Sequence, residues 1–175
     1  MTVYRHCPRC ARPLVDREQG GFLRRACEDG ACGFVWWDNP TPVVAAVVEH
    51  EGELILARNK LWPVKFYALI TGFLEKNEVP HEAVLREVEE ELGLKAHTPS
   101  FIGHYSFERM NQLIIAYHVV GEGQIVLGEE LSDYIRVPFE RARYWPAATG
   151  LALRDWLRGR GHDPQAMELP ARPRE

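Results

Sequence analysis

No run of about 18 apolar residues, the length a helical membrane span needs, occurs in this 175-residue sequence. Its first ten residues, MTVYRHCPRC, lack the apolar core of a secretory signal. These absences argue against a helical membrane protein and lead to the expectation of a cytoplasmic one. Basic excess is missing too. The 21 Lys and Arg stand against 25 Asp and Glu, a net charge of -4 and a pI near 6.0, whereas nucleic-acid-binding domains usually carry a basic patch and a high pI. No internal repeat is visible. Cysteine is scarce, with four residues, all before position 33. What remains is 46% hydrophobic and 26% charged, enough for one proper core and a small satellite module.

The four cysteines are not scattered. Cys7 and Cys10 form a CxxC, and after sixteen residues Cys27 and Cys32 form a CxxxxC, the spacing of two knuckles facing one tetrahedral Zn²⁺. The alternative is a pair of disulfides, which a reducing cytosol disfavours. Four thiolates fill a closed structural site, so His6 is expected on the surface. Gly20-Gly21 reads as a hairpin turn between the knuckles. Residues 1–38 form the expected ribbon, and Asp38-Asn39-Pro40-Thr41-Pro42 reads as a linker, since residues before proline avoid helix.

Glycine to leucine, residues 72–94, reads GFLEKNEVPHEAVLREVEEELGL. A helix is expected from near Pro80 to Gly93, because proline suits the first helical position and glycine the left-handed cap. Glu87, Glu89, Glu90 and Glu91 crowd its C-terminal turns, where acids oppose the helix dipole by about 0.3–1 kcal/mol each. At about 100° per residue, Glu87, Glu90 and Glu91 share one flank beside Val84, Leu85, Val88 and Leu92, while Glu89 points away. Convergent carboxylates suit a hard divalent cation; a solvated acidic face is the alternative.

Gly72, five residues, Glu78, seven residues, Arg86-Glu87, Val88, Glu89, Glu90-Glu91, Leu92, Gly93, Leu94 resembles the Nudix hydrolase signature GX5EX7REUXEEXGU at every fixed position. The resemblance implies an α/β fold, the Nudix α/β/α sandwich with a mixed sheet over residues 39–162, preceded here by the zinc ribbon. It implies Glu87, Glu90 and Glu91 as ligands of Mg²⁺ or Mn²⁺, the Gly72 backbone close to the metals, and Glu78 paired with Arg86 to brace the loop. An ordinary surface ion pair is the alternative for the last. Two residues depart from the family's usual pattern. Asn77 and Thr71 stand where glycine is common, and Asn tolerates a left-handed backbone next best.

Strands are expected at Val43 to Val48, Leu54 to Ala57, Tyr67 to Ile70, Ser100 to Phe107, Leu113 to Val120, Ile125 to Leu127 and Tyr134 to Val137, with a second helix from Ala147 to Arg158 and Trp156 in the core. Residues 163–175 are expected to form a loose tail, Pro-rich and polar from Gln165.

Ribbon, Asn-Pro linker and Nudix box together resemble the NADH pyrophosphatase branch of the family over about residues 7 to 160. That likeness implies hydrolysis of a dinucleotide pyrophosphate to two monophosphates, a small-molecule nucleotide partner rather than nucleic acid, and a possible homodimer. It also points to Glu130 as a further metal ligand or general base, against the alternative that Glu129-Glu130 is an exposed acidic loop. The branch's SQPWPFPxS motif is absent. Tyr105-Ser106-Phe107-Glu108-Arg109-Met110-Asn111-Gln112 stands in its region, where Tyr105 and Phe107 are candidates to stack on a base and Arg109 to hold a phosphate. Cross-strand packing is the competing reading of these residues. On architecture NADH or NAD⁺ still ranks first, with FAD and ADP-ribose as alternatives. A Nudix-like ligand-sensing or partner-binding module is the other class, and the complete acidic set stands against it.

Overall fold

The computed structural model describes residues 4–63 and 65–168. The chain divides between Asn39 and Pro40 into two compact units.

In the first unit, β1 (Leu14–Gln19), β2 (Phe22–Cys27) and β3 (Val35–Trp36) form an antiparallel sheet in that order. Gly20 and Gly21 take φ of 61° and 79°, the double positive φ that a two-residue hairpin turn demands of residues without a Cβ. Its small core is Leu14 with Cys7 and Cys27, flanked by Cys32 and Phe34.

In the second unit the central strand is β4 (Thr41–His50), whose Val43–Val48 stretch is buried throughout. A strand covered on both faces needs an unbroken apolar run. β4 pairs in parallel with β8 (Gln112–Glu122) along one side. Its other side is shared: β6 (Ile70–Phe73) takes Val43–Ala46, and β5 (Glu53–Asn59) takes Val48–His50. β7 (Lys95–Phe107) and β9 (Leu131–Val137) complete a mixed sheet in the order β7-β8-β4-β5-β9. Alternation then sorts the core. Val44, Ala46 and Val48 pack with Ala83, Val84, Val88 and Leu92 of helix α1 (Pro80–Leu92). Val43, Ala45 and Val47 pack with Ala152, Leu153, Trp156 and Leu157 of α2 (Thr149–Gly159) on the opposite face. This is the expected α/β/α sandwich, and Trp156 is core, stacked on the His118 ring at 4.9 Å.

Several expected boundaries move. The strand placed at Tyr67 to Ile70 is instead Ile70–Phe73, because the ladder with β4 sets Gly72 opposite Val44; Ala68 makes one isolated bridge to Ala57. Thr41 and Pro42 belong to β4 rather than to the linker, and α2 starts at Thr149 rather than Ala147. Ile125 to Leu127 is not a strand. The Val126 and Gly128 N–H groups donate to the carbonyls of Leu92 and Glu91, so this segment caps the end of α1. The expected tail is pinned through Met167: the Tyr144 N–H donates to the Gln165 carbonyl, and the Met167 N–H to the Tyr144 carbonyl. Residues 169–175 of that tail lie outside the described residues.

Candidate active site

Gly72, on β6, fixes the floor of the site. A Cβ built there would fall 1.8 Å from the Glu87 carboxyl carbon, so only glycine leaves Glu87 room to lie against the strand. Between β6 and α1 the chain turns through Asn77, whose φ of 68° is the left-handed backbone that Asn, after glycine, accepts most readily. The loop is closed by the Glu75 N–H donating to Glu78 Oε2 at 3.0 Å and the Glu78 N–H donating to the Glu75 carbonyl.

Arg86 ties this loop to the helix. Its Nε and Nη2 donate to the two oxygens of Glu78 at 2.7 and 3.0 Å, the bidentate fork that makes such pairs strong. Nη2 also reaches the Phe73 carbonyl, while Nη1 donates to Glu87 at 2.7 Å and Glu90 at 2.9 Å. Arg86 holds the Glu78 carboxyl below its ordinary range, helped by the Glu75 N–H. The pairing expected between Glu78 and Arg86 is therefore present, and the same guanidinium stands between Glu87 and Glu90.

The remaining carboxylates repel one another. Burial, opposed by Arg86, and then the charges of Glu90 and Glu130 push the Glu87 carboxyl up. Burial first, then Glu87, Glu130 and Glu90, push Glu91 up to about 8. Glu130 thus joins the helix acids in space, carried by the turn before β9. Lys60 anchors that turn, its N–H donating to the Glu130 carbonyl and its Nζ to the Glu129 carbonyl at 2.6 Å. Gly128 lets the turn approach the helix, since a Cβ there would meet the Glu90 carbonyl at 2.3 Å. Half-buried Glu87 and Glu91, raised by burial and by the neighbouring acids, are relieved by a hard divalent cation, so these oxygen donors fit Mg²⁺ or Mn²⁺.

Gly72, Glu75, Glu87, Glu90 and Glu130 line a cavity of about 1520 Å³, and Glu91 stands behind them, outside its lining. Its other walls carry Phe107, Glu108 and Arg109 from the end of β7, and Trp62, Phe66 and Trp145. Phe66 packs against Trp62 at 5.7 Å and edge-on to Trp145 at 5.2 Å. Of the three residues expected to contact substrate, Phe107 and Arg109 line the cavity and Tyr105 does not. The Tyr105 hydroxyl donates to Asp155 of α2 at 2.9 Å, and burial with that bond pushes it up to about 12. That bond turns the ring toward α2. Sequence reading missed Trp62, Phe66 and Trp145, which are separated by up to 83 positions and carry no shared spacing; the Trp62-Pro63 loop was the only signal.

Far along the chain, the four Sγ atoms of Cys7, Cys10, Cys27 and Cys32 lie within 4.8 Å of one another. Cys7 to Cys32 is 3.7 Å and Cys10 to Cys27 is 3.5 Å. These gaps are far beyond the roughly 2.05 Å of a disulfide and close to the about 3.8 Å edge of a tetrahedron with Zn–S bonds near 2.3 Å. The set fits a structural zinc.

A family model described as the NUDIX domain matches residues 39–158. The chain belongs to the Nudix family. Among curated proteins it is 30% identical over 135 residues to the NAD-capped RNA hydrolase NudC of Stutzerimonas stutzeri, covering 76% of this chain and 48% of that protein. The protein of the same name from Chromobacterium violaceum is 30% identical over 128 residues, 73% of this chain and 46% of its own length. This Nudix chain thus spans about half the length of these relatives. Among solved structures, a NUDIX hydrolase from Nitrosomonas europaea superposes with a TM-score of 0.74 over 94% of this chain and 97% of that one, at 20% identity, a likeness of fold. Among the described residues no helix is long and apolar enough to cross a membrane.

Proposed function

We propose that this Nudix protein is a metal-dependent pyrophosphohydrolase that cleaves a nucleoside diphosphate linked to another moiety, with NADH or NAD⁺ first among its substrates. The observation that carries this reading is that Glu87, Glu90 and Glu130 line one cavity with Gly72 and with Trp62, Phe66 and Trp145, and that their charges act on half-buried Glu91. Glu87, Glu90 and Glu91 would hold Mg²⁺ or Mn²⁺ near the Gly72 backbone. A cation bound there neutralises pyrophosphate oxygens and lowers the pKa of water.

The chain's own residues do the rest. Glu78 and Arg86 hold the loop so that Gly72 and the helix acids keep their spacing. Glu130, on the facing turn, either completes the ligand set or takes the proton of the attacking water. Arg109 faces the negative phosphates, and the Trp62, Phe66 and Phe107 walls offer rings to a base. Water adds across one P–O–P linkage, and two monophosphates leave. FAD and ADP-ribose contain the same bond, as does the NAD-capped RNA after which the relatives are named. The reading also takes residues 1–38 as a structural zinc ribbon, residues 39–162 as the catalytic domain, the cytoplasm as the setting and a homodimer as the assembly.

The deciding experiment incubates the protein and Mg²⁺ or Mn²⁺ with NADH, NAD⁺, FAD, ADP-ribose and NAD-capped RNA and identifies products by mass. Monophosphate pairs are expected from several substrates, and Glu90→Gln should reduce turnover by orders of magnitude without unfolding the protein. Absence of any metal-dependent cleavage would leave the ligand-sensing alternative in its place.

A further inference from the structure

Charge is unevenly divided along the chain. Six arginines and five acids fall in residues 1–39, against fifteen basic and twenty acidic side chains in the remainder. The net -4 therefore conceals a ribbon unit with a slight basic excess.

Strand alternation sorts these charges by face. Val15, Arg17 and Gln19 of β1, with their cross-strand partners Ala26, Arg24 and Phe22, share one face of the sheet. Asp16 and Glu18, opposite Arg25 and Leu23, share the other, where Asp16 pairs with Arg25 at 3.4 Å. Trp37 follows the Arg25–Trp36 pair by one position and so falls on the Arg24 side. The Arg24 guanidinium lies over the Phe22 ring at 5.3 Å and the Trp37 ring at 5.0 Å. No Asp or Glu of the three strands shares that face.

Two features set it apart from ordinary surface. Phe22 is 65% exposed and Trp37 50%, large rings left in water on either side of a cation. Arg24 donates to the Trp37 carbonyl and Arg17 to the Glu28 carbonyl at 2.6 Å, bonds to neutral oxygens that orient each guanidinium and leave its charge intact. Rings alternating with arginines, with Glu28 past the end of β2 as the one acid beside them, complement a polyanion that carries its own flat bases.

We propose that this ribbon face is a stacking platform for single-stranded nucleic acid, with Phe22 and Trp37 receiving bases and Arg24 and Arg17 facing phosphates. Stacking on exposed rings needs unpaired bases and tolerates any sequence, so a single strand fits and a duplex does not.

The test uses the full-length protein and an uncapped, fluorescein-labelled RNA of ten nucleotides, followed by anisotropy. Wild type should bind the strand, more weakly as salt rises, and bind the matching duplex poorly. Phe22→Ala, Trp37→Ala and Arg24→Glu should each weaken binding about 5- to 150-fold, the range that loss of one stacked base produces. Zinc content and NADH hydrolysis in the same variants report folding and the catalytic reading separately. Unchanged RNA affinity in zinc-loaded Phe22→Ala and Trp37→Ala would overturn the proposal, as would equal binding of duplex RNA or of polyglutamate. Failure of wild type to bind the strand below about 100 µM would also overturn it, since non-specific contacts alone reach that range.

Discussion

Gly72→Ala is the sharpest probe of the site, because the added atom is a single methyl and its collision is with one functional group. The new Cβ would stand 1.8 Å from the Glu87 carboxyl carbon and 1.9 Å from Oε1. Ordinary carbon contacts are about 3.5–4.0 Å, so the carboxylate must retreat by roughly 2 Å. The colliding atoms are the end of a flexible side chain, and it can swing away at the loss of its bond to Arg86. Arg86 keeps both bonds to Glu78, so the stability loss should stay below about 1 kcal/mol, or roughly 2–4 °C in Tm for a protein of this size. Activity should fare much worse. A misplacement of about 1 Å already costs on the order of 100-fold, equivalent to about 2.7 kcal/mol, and this one is larger. The assay is kcat/KM for NADH with saturating Mg²⁺ or Mn²⁺, beside a thermal melt of the metal-free protein. A Gly72→Ala enzyme within a few-fold of wild type would refute the argument that Glu87 must lie against β6 to serve the reaction.

Glu130→Gln should lower kcat and change its pH profile, whereas Glu129→Gln, which removes a charge that is not among those raising Glu87 and Glu91, should leave both unaltered; identical behaviour of the two would dissolve the distinction. Because Glu91 is raised from 4.5 to about 8, the folded metal-free protein binds a proton that the unfolded chain releases. Its stability should therefore fall as pH rises from about 4.5 to 8, and Glu91→Gln should flatten that slope in melts across the range; parallel slopes would contradict the assignment. Cys7→Ser should lose the bound zinc and destabilise the ribbon, with one zinc per chain in the wild type by elemental analysis, while two disulfides and no zinc would reverse that reading. Arg109→Ala should raise KM more than it lowers kcat, and Tyr105→Phe should cost about 1 kcal/mol of stability with little kinetic effect, a contrast that steady-state kinetics and melts measure together.

Features that depend on local chemistry are legible before any fold is known. Pro80 and Gly93 bound α1 as expected, with Gly93 in the left-handed conformation at φ 67°, because caps depend on a residue's own backbone freedom. Helical period was enough to place Glu87, Glu90 and Glu91 on one flank, and the paired cysteines carried their own spacing. The hairpin at Gly20-Gly21 and the left-handed Asn77 were legible for the same reason. Other features depend on partners distant in sequence. Ile125 to Leu127 has the composition of a strand, yet its amides are claimed by the open carbonyls of α1, a demand no local pattern reveals. Tyr105 and Phe107 lie on the same strand two positions apart, yet the first bonds Asp155 on α2 while the second reaches the cavity. The Glu130 charge acts on Glu87 and Glu91 because Lys60 anchors its turn and Gly128 allows that turn to approach the helix. Trp62, Phe66 and Trp145 form one wall only because the loop before β6 and the segment before α2 converge across the sheet. Periodicity acts over a few residues, whereas a cavity is assembled by packing, so its aromatic wall became visible only with the tertiary structure.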